Sequence, residues 1–335
     1  MRKLLLCFFT MATCSTWITA CGSTDDYIED LVIRTDTIYS NDTIIHTDTT
    51  FLNGDTIIQF DTIVKKDTLI HNDTLKRSDI IISYFMDQIE GSTSVQGADI
   101  YKHYLFQFQH TNSKVFIYNL EEKRQIGIVT LKVVPNNHCN SVSFSNIFFE
   151  KTDFFPLLYV SGSSSGTYNH VQVYRILKEN ENFSIAKIQE ITLPNNLTWS
   201  GAVIDKENNY MYVYANTKGA QIAKFNIPDI NNQNVILTDN EILETFILPS
   251  FTHQQGACIK DSLLYIMEGV PGWGDINYLR IIDLNNKQEF RKINLSELGY
   301  GRVEFESIST YNDGFILTTN NNCGIYSLII NSRNE

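Results

Sequence analysis

Five times along this chain a polar residue stands before two small or apolar residues and opens a series of short strand-like runs. The openings are Gln96-Gly97-Ala98, Asn140-Ser141-Val142, Ser200-Gly201-Ala202, Gln255-Gly256-Ala257 and Glu306-Ser307-Ile308, spaced 44, 60, 55 and 51 residues apart. Behind each comes a second run (104–108, 157–161, 210–215, 263–268 and 314–319) and then a third with related endings, such as Ile117-Tyr118-Asn119-Leu120 and Ile281-Ile282-Asp283-Leu284. β-Branched and aromatic residues fill the runs, Asn, Gly, Asp and Ser part them, and no helical period is sustained. A unit of this size with three or four strands cannot cover its own sheet faces, so it must stack on its neighbours. The pattern predicts an all-β protein, a five-bladed β-propeller, with a six-bladed ring carrying one degenerate blade as the alternative.

Fourth strands are expected at 125–131, 185–193, 241–248 and 289–295, but the fifth repeat ends without one. The orphan run 79–86, ahead of the first repeat, supplies it and closes the ring, leaving no free sheet edge at the seam. The propeller domain is therefore assigned to 79–335.

In such a ring the first strand of each blade lines the axis. Side chains alternate along a strand, which groups Ser94 with Gln96, His138 with Asn140, Thr198 with Ser200, His253 with Gln255, and Glu304 with Glu306 around one mouth. Loops between second and third strands add Tyr168 and Trp273, and Trp199 lies close in sequence. Flat aromatic faces beside converging polar groups make a small-ligand or sugar site, so the ligand-binding set is Gln96, His138, Asn140, His253, Gln255, Glu306, Trp273 and Tyr168. Water alone also satisfies polar rings in narrow channels. Glu304 and Glu306 are the alternative catalytic pair, because two carboxylates near one mouth suit acid–base work. No nucleophile elbow, phosphate loop or His-Glu-x-x-His accompanies them, so binding is expected, with no cofactor and no metal. Cys139, Cys258 and Cys323 sit in apolar runs without metal-ligand spacing and read as core thiols.

Ahead of the repeats, Arg2 and Lys3, the apolar start 4–9 and the small residues before Cys21 lay out a secretory signal over 1–20. It resembles the lipobox of bacterial lipoproteins, which implies cleavage before Cys21 and acylation there, by palmitate among others, with the membrane as partner through the lipid. Asp-Thr then recurs at Asp36, Asp42, Asp48, Asp55, Asp61, Asp67 and Asp73, in a stretch with no proline and little to bury. The segment 21–78 is expected to be an extended stalk, with a short β-solenoid as the alternative. Its composition is similar to the acceptor pattern of Bacteroidetes O-glycosylation, which implies glycans on Thr37, Thr43, Thr49, Thr56, Thr62, Thr68 and Thr74. Asp25-Asp26 and Glu29-Asp30 resemble export signals of surface lipoproteins in the same bacteria, which implies the outer membrane, facing outward. A formal charge of -12 repels phosphate backbones, so no nucleic acid partner is expected.

The twice-used Gln-Gly-Ala, with Glu304-Phe305-Glu306-Ser307-Ile308, resembles blade openings of Bacteroidetes propeller lipoproteins and is also similar to those of five-bladed plant-type glutaminyl cyclases. The latter resemblance implies that Gln96 and Glu306 face a pocket and that Glu306 is its acid–base group; the chain departs from that pattern at Ser307, where a glycine is expected. The function expected is a surface lipoprotein whose propeller binds a glycan, peptide or protein, with a cyclase, lyase or hydrolase using Glu304 and Glu306 as the alternative.

Overall fold

A computed structural model describes residues 80–88, 94–110, 114–131, 138–162, 169–197, 200–216, 219–320 and 324–331, together with the backbone of short strands before residue 64. The chain divides into two units, 1–73 and 74–335.

The second unit is a five-bladed propeller of antiparallel sheets. The first blade runs Val95–Tyr101, Tyr104–Gln109, Lys114–Asn119 and Arg124–Thr130, and the second Ser141–Phe144, Leu158–Ser161, His170–Glu179 and Asn182–Thr192. The third runs Gly201–Asp205, Tyr210–Asn216, Ala220–Asn226 and Glu244–Leu248, and the fourth Gln254–Lys260, Leu263–Glu268, Tyr278–Asp283 and Gln288–Asn294. The fifth blade takes Phe305–Tyr311, Gly314–Thr319 and Ile325–Ile330 from the C-terminal end and Ile80–Met86 from the other end of the unit. Five sheets, and not six, meet in the ring, and the orphan strand closes it as its sequence position requires, with Ile80 opposite Ile330 and Met86 opposite Ile325.

Local chemistry explains the turns. The Asn or Asp in the related third-strand endings starts the next turn: Asn119 Oδ1 accepts from the backbone of Glu121 and Glu122, and Asp283 Oδ1 from that of Asn285 and Asn286. At Asp261 and Ser262 two successive positive φ angles, 53° and 60°, make the tight hairpin between the first strands of the fourth blade.

Apolar residues fill the seams between blades. Phe106, Phe144, Phe155 and Tyr174 lie between the first and second, Tyr159, Val213 and Phe225 between the second and third, and Tyr214, Phe251 and Ile282 between the third and fourth. Met86, Val95, Tyr118 and Ile325 fill the closing seam, and Tyr265 packs on Phe315 between the fourth and fifth. Nearer the axis the first strands of neighbouring blades approach too closely for large side chains. A Cβ on Gly97 would lie 2.6 Å from the Cys139 carbonyl oxygen, and one on Gly256 would lie 2.8 Å from that of Glu306, which is why the blade openings read Gly-Ala. Side chains bond these strands to one another: Ser141 Oγ donates to Ala202 O at 2.6 Å, Ser309 Oγ to Ala98 O at 3.0 Å, and the Phe144 amide to Asp99 at 2.7 Å.

Two fastenings add to the closing strand. Gln88 Nε2 donates to Thr319 O in the fifth blade and to Gln107 Oε1 in the first, both at 3.0 Å. The connection inside the third blade sends Asn234–Ile236 across to pair in parallel with Glu190–Thr192 of the second, and Gln189 Nε2 holds it through Asp229 O and Asn232 O. Nothing in the sequence reading anticipated either.

In the first unit the backbone of three longer strands is described. Arg34–Ser40, Thr43–Leu52 and Asp55–Ile63 pair in that order as an antiparallel meander. Asn53-Gly54, between the paired Leu52 and Asp55, is a strong hairpin dipeptide. Leu5–Leu6 and Ile18–Thr19 also pair, within the expected signal segment.

Candidate functional site at the axial mouth

The residues that open the blades do converge. Gln96, Ser200 and Gln255 are each 4% exposed and Glu306 is 0% exposed. Gln96 Nε2 donates to Glu306 Oε1 at 3.3 Å, and Asn140 Nδ2 reaches from the second blade to Gln254 O of the fourth, also at 3.3 Å. The alternation that grouped them is not the cause of this convergence. The strand register shifts between Val95 and Ala98, between Gln254 and Ala257, and between Phe305 and Ser307, so Gln96, Gln255 and Glu306 sit in β-bulges that re-aim the side chain. Asn140 and Ser200 stand just ahead of their strands.

With those bonds made, Gln96 Oε1, Asn140 Oδ1, Gln255 Oε1 and Glu306 Oε2 are buried oxygens that accept no hydrogen bond. Buried polar atoms are partnered in the great majority of cases, by protein, ordered water or ligand, and these four have no protein donor. Burial pushes the Glu306 carboxyl well above its usual range and the neighbouring Glu304 pushes it further, while the amides of Asn320 and Gln96 pull it back. Burial raises Glu304 as well, opposed by Asn320, whose Nδ2 donates to Glu304 Oε2 at 3.3 Å.

Two pairs of side chains stand at the same end of the ring. His138 and His110 meet edge to face with ring centroids 4.0 Å apart; burial, and then His110, lower His138 to about 4, and burial lowers His110. His253 Nδ1 lies 2.5 Å from Asp275 Oδ2, which also accepts from the Val270 amide at 2.9 Å. Trp273 stands edge to face on His253 at 5.1 Å, in a single turn Pro271–Trp273 that ends at Gly274 with φ 91°. Trp273 is 74% exposed and so belongs to the rim, not to the buried axial group.

The segment leading into His253 is pinned from beneath. Arg280, 1% exposed, pairs with the buried Glu268 and donates to Pro249 O at 2.6 Å and Ser250 O at 3.1 Å. Glu268 in turn accepts from the Thr252 amide at 3.2 Å.

Of the predicted set, Gln96, Asn140, Gln255 and Glu306 are brought together on the axis, and His138, His253, Glu304 and Trp273 lie at its mouth. Tyr168, Thr198, Trp199, Cys323, Cys21, Thr68 and Thr74 fall outside the described residues, and only the backbone of Thr37, Thr43, Thr49, Thr56 and Thr62 is described. Sequence reasoning missed His110, Asp275 and Asn320. His110 and Asn320 follow second strands, which end where first strands begin, so the same rule that chose the blade openings selects them. Among the described residues no group of three His, Cys, Asp or Glu is placed to hold a metal ion.

No family model matches the chain, and no curated protein matches it. Solved structures do. A glutaminyl cyclase of Myxococcus xanthus superposes with a TM-score of 0.50 at 8% identity, over 76% of this chain and 98% of its own. A protein of unknown function from Bacteroides thetaiotaomicron VPI-5482 gives 0.42 at 11% identity, over 89% and 87%. A streptogramin B lyase gives 0.39 at 14% identity, over 76% and 98%. At 8% identity the likeness to the first of these is one of fold alone, and the sheet order itself shows the second unit to be a five-bladed β-propeller.

Proposed function

We propose that this protein is a cell-surface lipoprotein whose propeller binds a glycan, peptide or protein at its axial mouth without transforming it. The observation that carries the binding role is the set of four unpartnered buried oxygens, from Gln96, Asn140, Gln255 and Glu306. A ligand rich in N–H or O–H donors satisfies them and recovers the cost of burying them. The anchoring role is supported by the signal-like segment ending at Cys21 and the acidic residues that follow, and the glycan acceptors by the spaced Asp-Thr pairs. Thermal unfolding of the intact protein with oligosaccharide and peptide panels tests the binding role, because a ligand of the native state raises the melting temperature. Panels that leave it unmoved at millimolar concentration refute that role. Protease treatment of intact cells tests display: digestion before lysis supports it, and protection until lysis overturns it.

A second reading has its own observation. Glu306 is a carboxyl kept protonated to unusually high pH beside Glu304, an arrangement that serves an acid–base enzyme of the cyclase, lyase or hydrolase type. On that reading the Glu306→Gln variant loses turnover of a substrate that it still binds; turnover that survives in a Glu304→Gln, Glu306→Gln double variant eliminates it.

A further inference from the structure

We infer that Trp273, His253 and Asp275 form a carbohydrate platform on the rim, an inference that rests on the ligand-binding reading above and narrows its ligand to a sugar. The turn Pro271–Trp273 leaves the indole 74% exposed, beside Ile276 at 44%. An exposed indole held in a fixed turn offers a flat apolar face at little entropic cost on binding. The His253 ring meets the indole at near right angles with centroids 5.1 Å apart and is therefore placed beside whatever stacks there.

Asp275 gives that imidazole one defined role. A carboxylate only accepts hydrogen bonds, so across the 2.5 Å contact His253 donates from Nδ1, which in the neutral imidazole leaves Nε2 as the nitrogen that accepts from a ligand. The Val270 amide fixes the carboxylate from the other side at 2.9 Å. The rim thus presents a flat apolar face, one oriented acceptor beside it, and further acceptors at the axis in Gln96, Asn140, Gln255 and Glu306.

A pyranose matches this combination. One face of its ring carries C–H groups that stack on an indole, and its edge carries hydroxyl donors. Other flat-surface ligands match less well. A quaternary ammonium needs a cage of aromatic rings, and a proline-rich peptide needs a groove lined with several; the described rim offers one indole. A chain of formal charge -12 does not attract an anion in its place.

The test titrates the intact protein with soluble oligosaccharides of glucose, mannose, galactose, xylose and N-acetylglucosamine, and separately with unmodified peptides, by calorimetry. The expected result is binding to one sugar class with negative heat-capacity change. Trp273→Ala should weaken it about tenfold or more, and Trp273→Phe by less, with melting temperatures unchanged. Asp275 acts through His253 as a positioning residue: nitrogen NMR should find the Nδ1–H tautomer of His253 in the native protein and lose it in Asp275→Asn, together with several-fold affinity. Sugar binding that Trp273→Ala leaves unaltered overturns the platform. Peptide binding that Glu306→Gln weakens and Trp273→Ala does not also overturns it, while leaving the axial reading standing. Failure of every sugar and peptide to bind removes both.

Discussion

The seam between the first and second blades and the axis of the ring are both buried, yet they are built of opposite materials. In the seam Phe155 is 1% exposed and its ring lies 5.2 Å from Phe106, 5.5 Å from Tyr104 and 5.8 Å from Tyr101, a cluster of apolar surface with few polar atoms to satisfy. On the axis, Gln96, Gln255 and Glu306 are as thoroughly buried, and each holds an oxygen without a donor. Aromatic burial contributes stability in proportion to area, whereas an unmet hydrogen-bonding group costs stability. The fold is therefore held from its seams, and on the proposed binding reading the axis keeps acceptors for a ligand at some cost in stability. Damage to the seam should unfold the ring, and chemical change on the axis should alter ligand binding while the ring survives.

The largest expected effect lies in the seam. Phe155→Ala removes a ring touched on several sides and should lower stability by about 4 kcal/mol. Denaturant unfolding measures it, and a loss below about 1 kcal/mol would mean that the seam is not what holds these blades. Next comes Arg280→Met, which leaves the buried Glu268 with Lys292 at 3.6 Å in place of its close guanidinium and should cost about 3 kcal/mol. Here the two regions are coupled, because the same guanidinium holds Pro249 and Ser250 on the way to His253. Ligand affinity should fall along with stability in this variant, in contrast to Phe155→Ala, whose folded fraction should bind as the native protein does.

What the sequence disclosed and what it hid divide along similar lines. Strand alternation and turn chemistry are local, so the blade count, the second and third strands and the closing run at 79–86 all follow from residue order. The glycines at Gly97 and Gly256 also betray close approach, since little else excuses a glycine inside a strand. The axial residues were found for an incomplete reason: a period of two cannot reveal a bulge, and the bulges are what aim Gln96, Gln255 and Glu306. Pairings that span the chain stayed hidden, among them Gln88 with Gln107 and Thr319, the parallel strand Asn234–Ile236, and Asp275 behind His253. The first two depend on which blades become neighbours and the last on how a loop folds within one blade, and no local pattern encodes either. In the Asp-Thr segment two signals coexist, a polar composition that suits extended chain and the Asn53-Gly54 dipeptide between the paired Leu52 and Asp55, which suits a hairpin.

A smaller effect lies between the two regions, where first strands touch. Gly256→Ala places a methyl against the Glu306 carbonyl and the Ser307 side chain, each 2.8 Å away, and should cost about 2 kcal/mol while displacing Glu306. Gly272 is the control. A Cβ there meets nothing within 4 Å, so Gly272→Ala should leave stability within about 0.5 kcal/mol of the native protein. Equal melting temperatures for the two variants would contradict close packing at the axis.

A change in stability that is small only at acid pH, and that most sharply separates the axis from the seam, belongs to Glu306→Gln. A carboxyl whose folded pKa is raised binds its proton more tightly in the native state than in the unfolded chain. Its contribution is therefore fully present below the unfolded value of about 4.5 and is lost as pH rises toward the folded value. Glutamine has no proton to lose and keeps the size of the side chain. Near pH 4 the variant should match the native protein to within about 0.5 kcal/mol, and it should become relatively more stable as pH rises toward 8. The same variant replaces an acceptor on the axis, so its ligand affinity should fall even where its melting temperature rises. A difference in melting temperature that stays flat with pH would place Glu306 in water, and the axis would then be an ordinary wet channel with no stability withheld for a ligand.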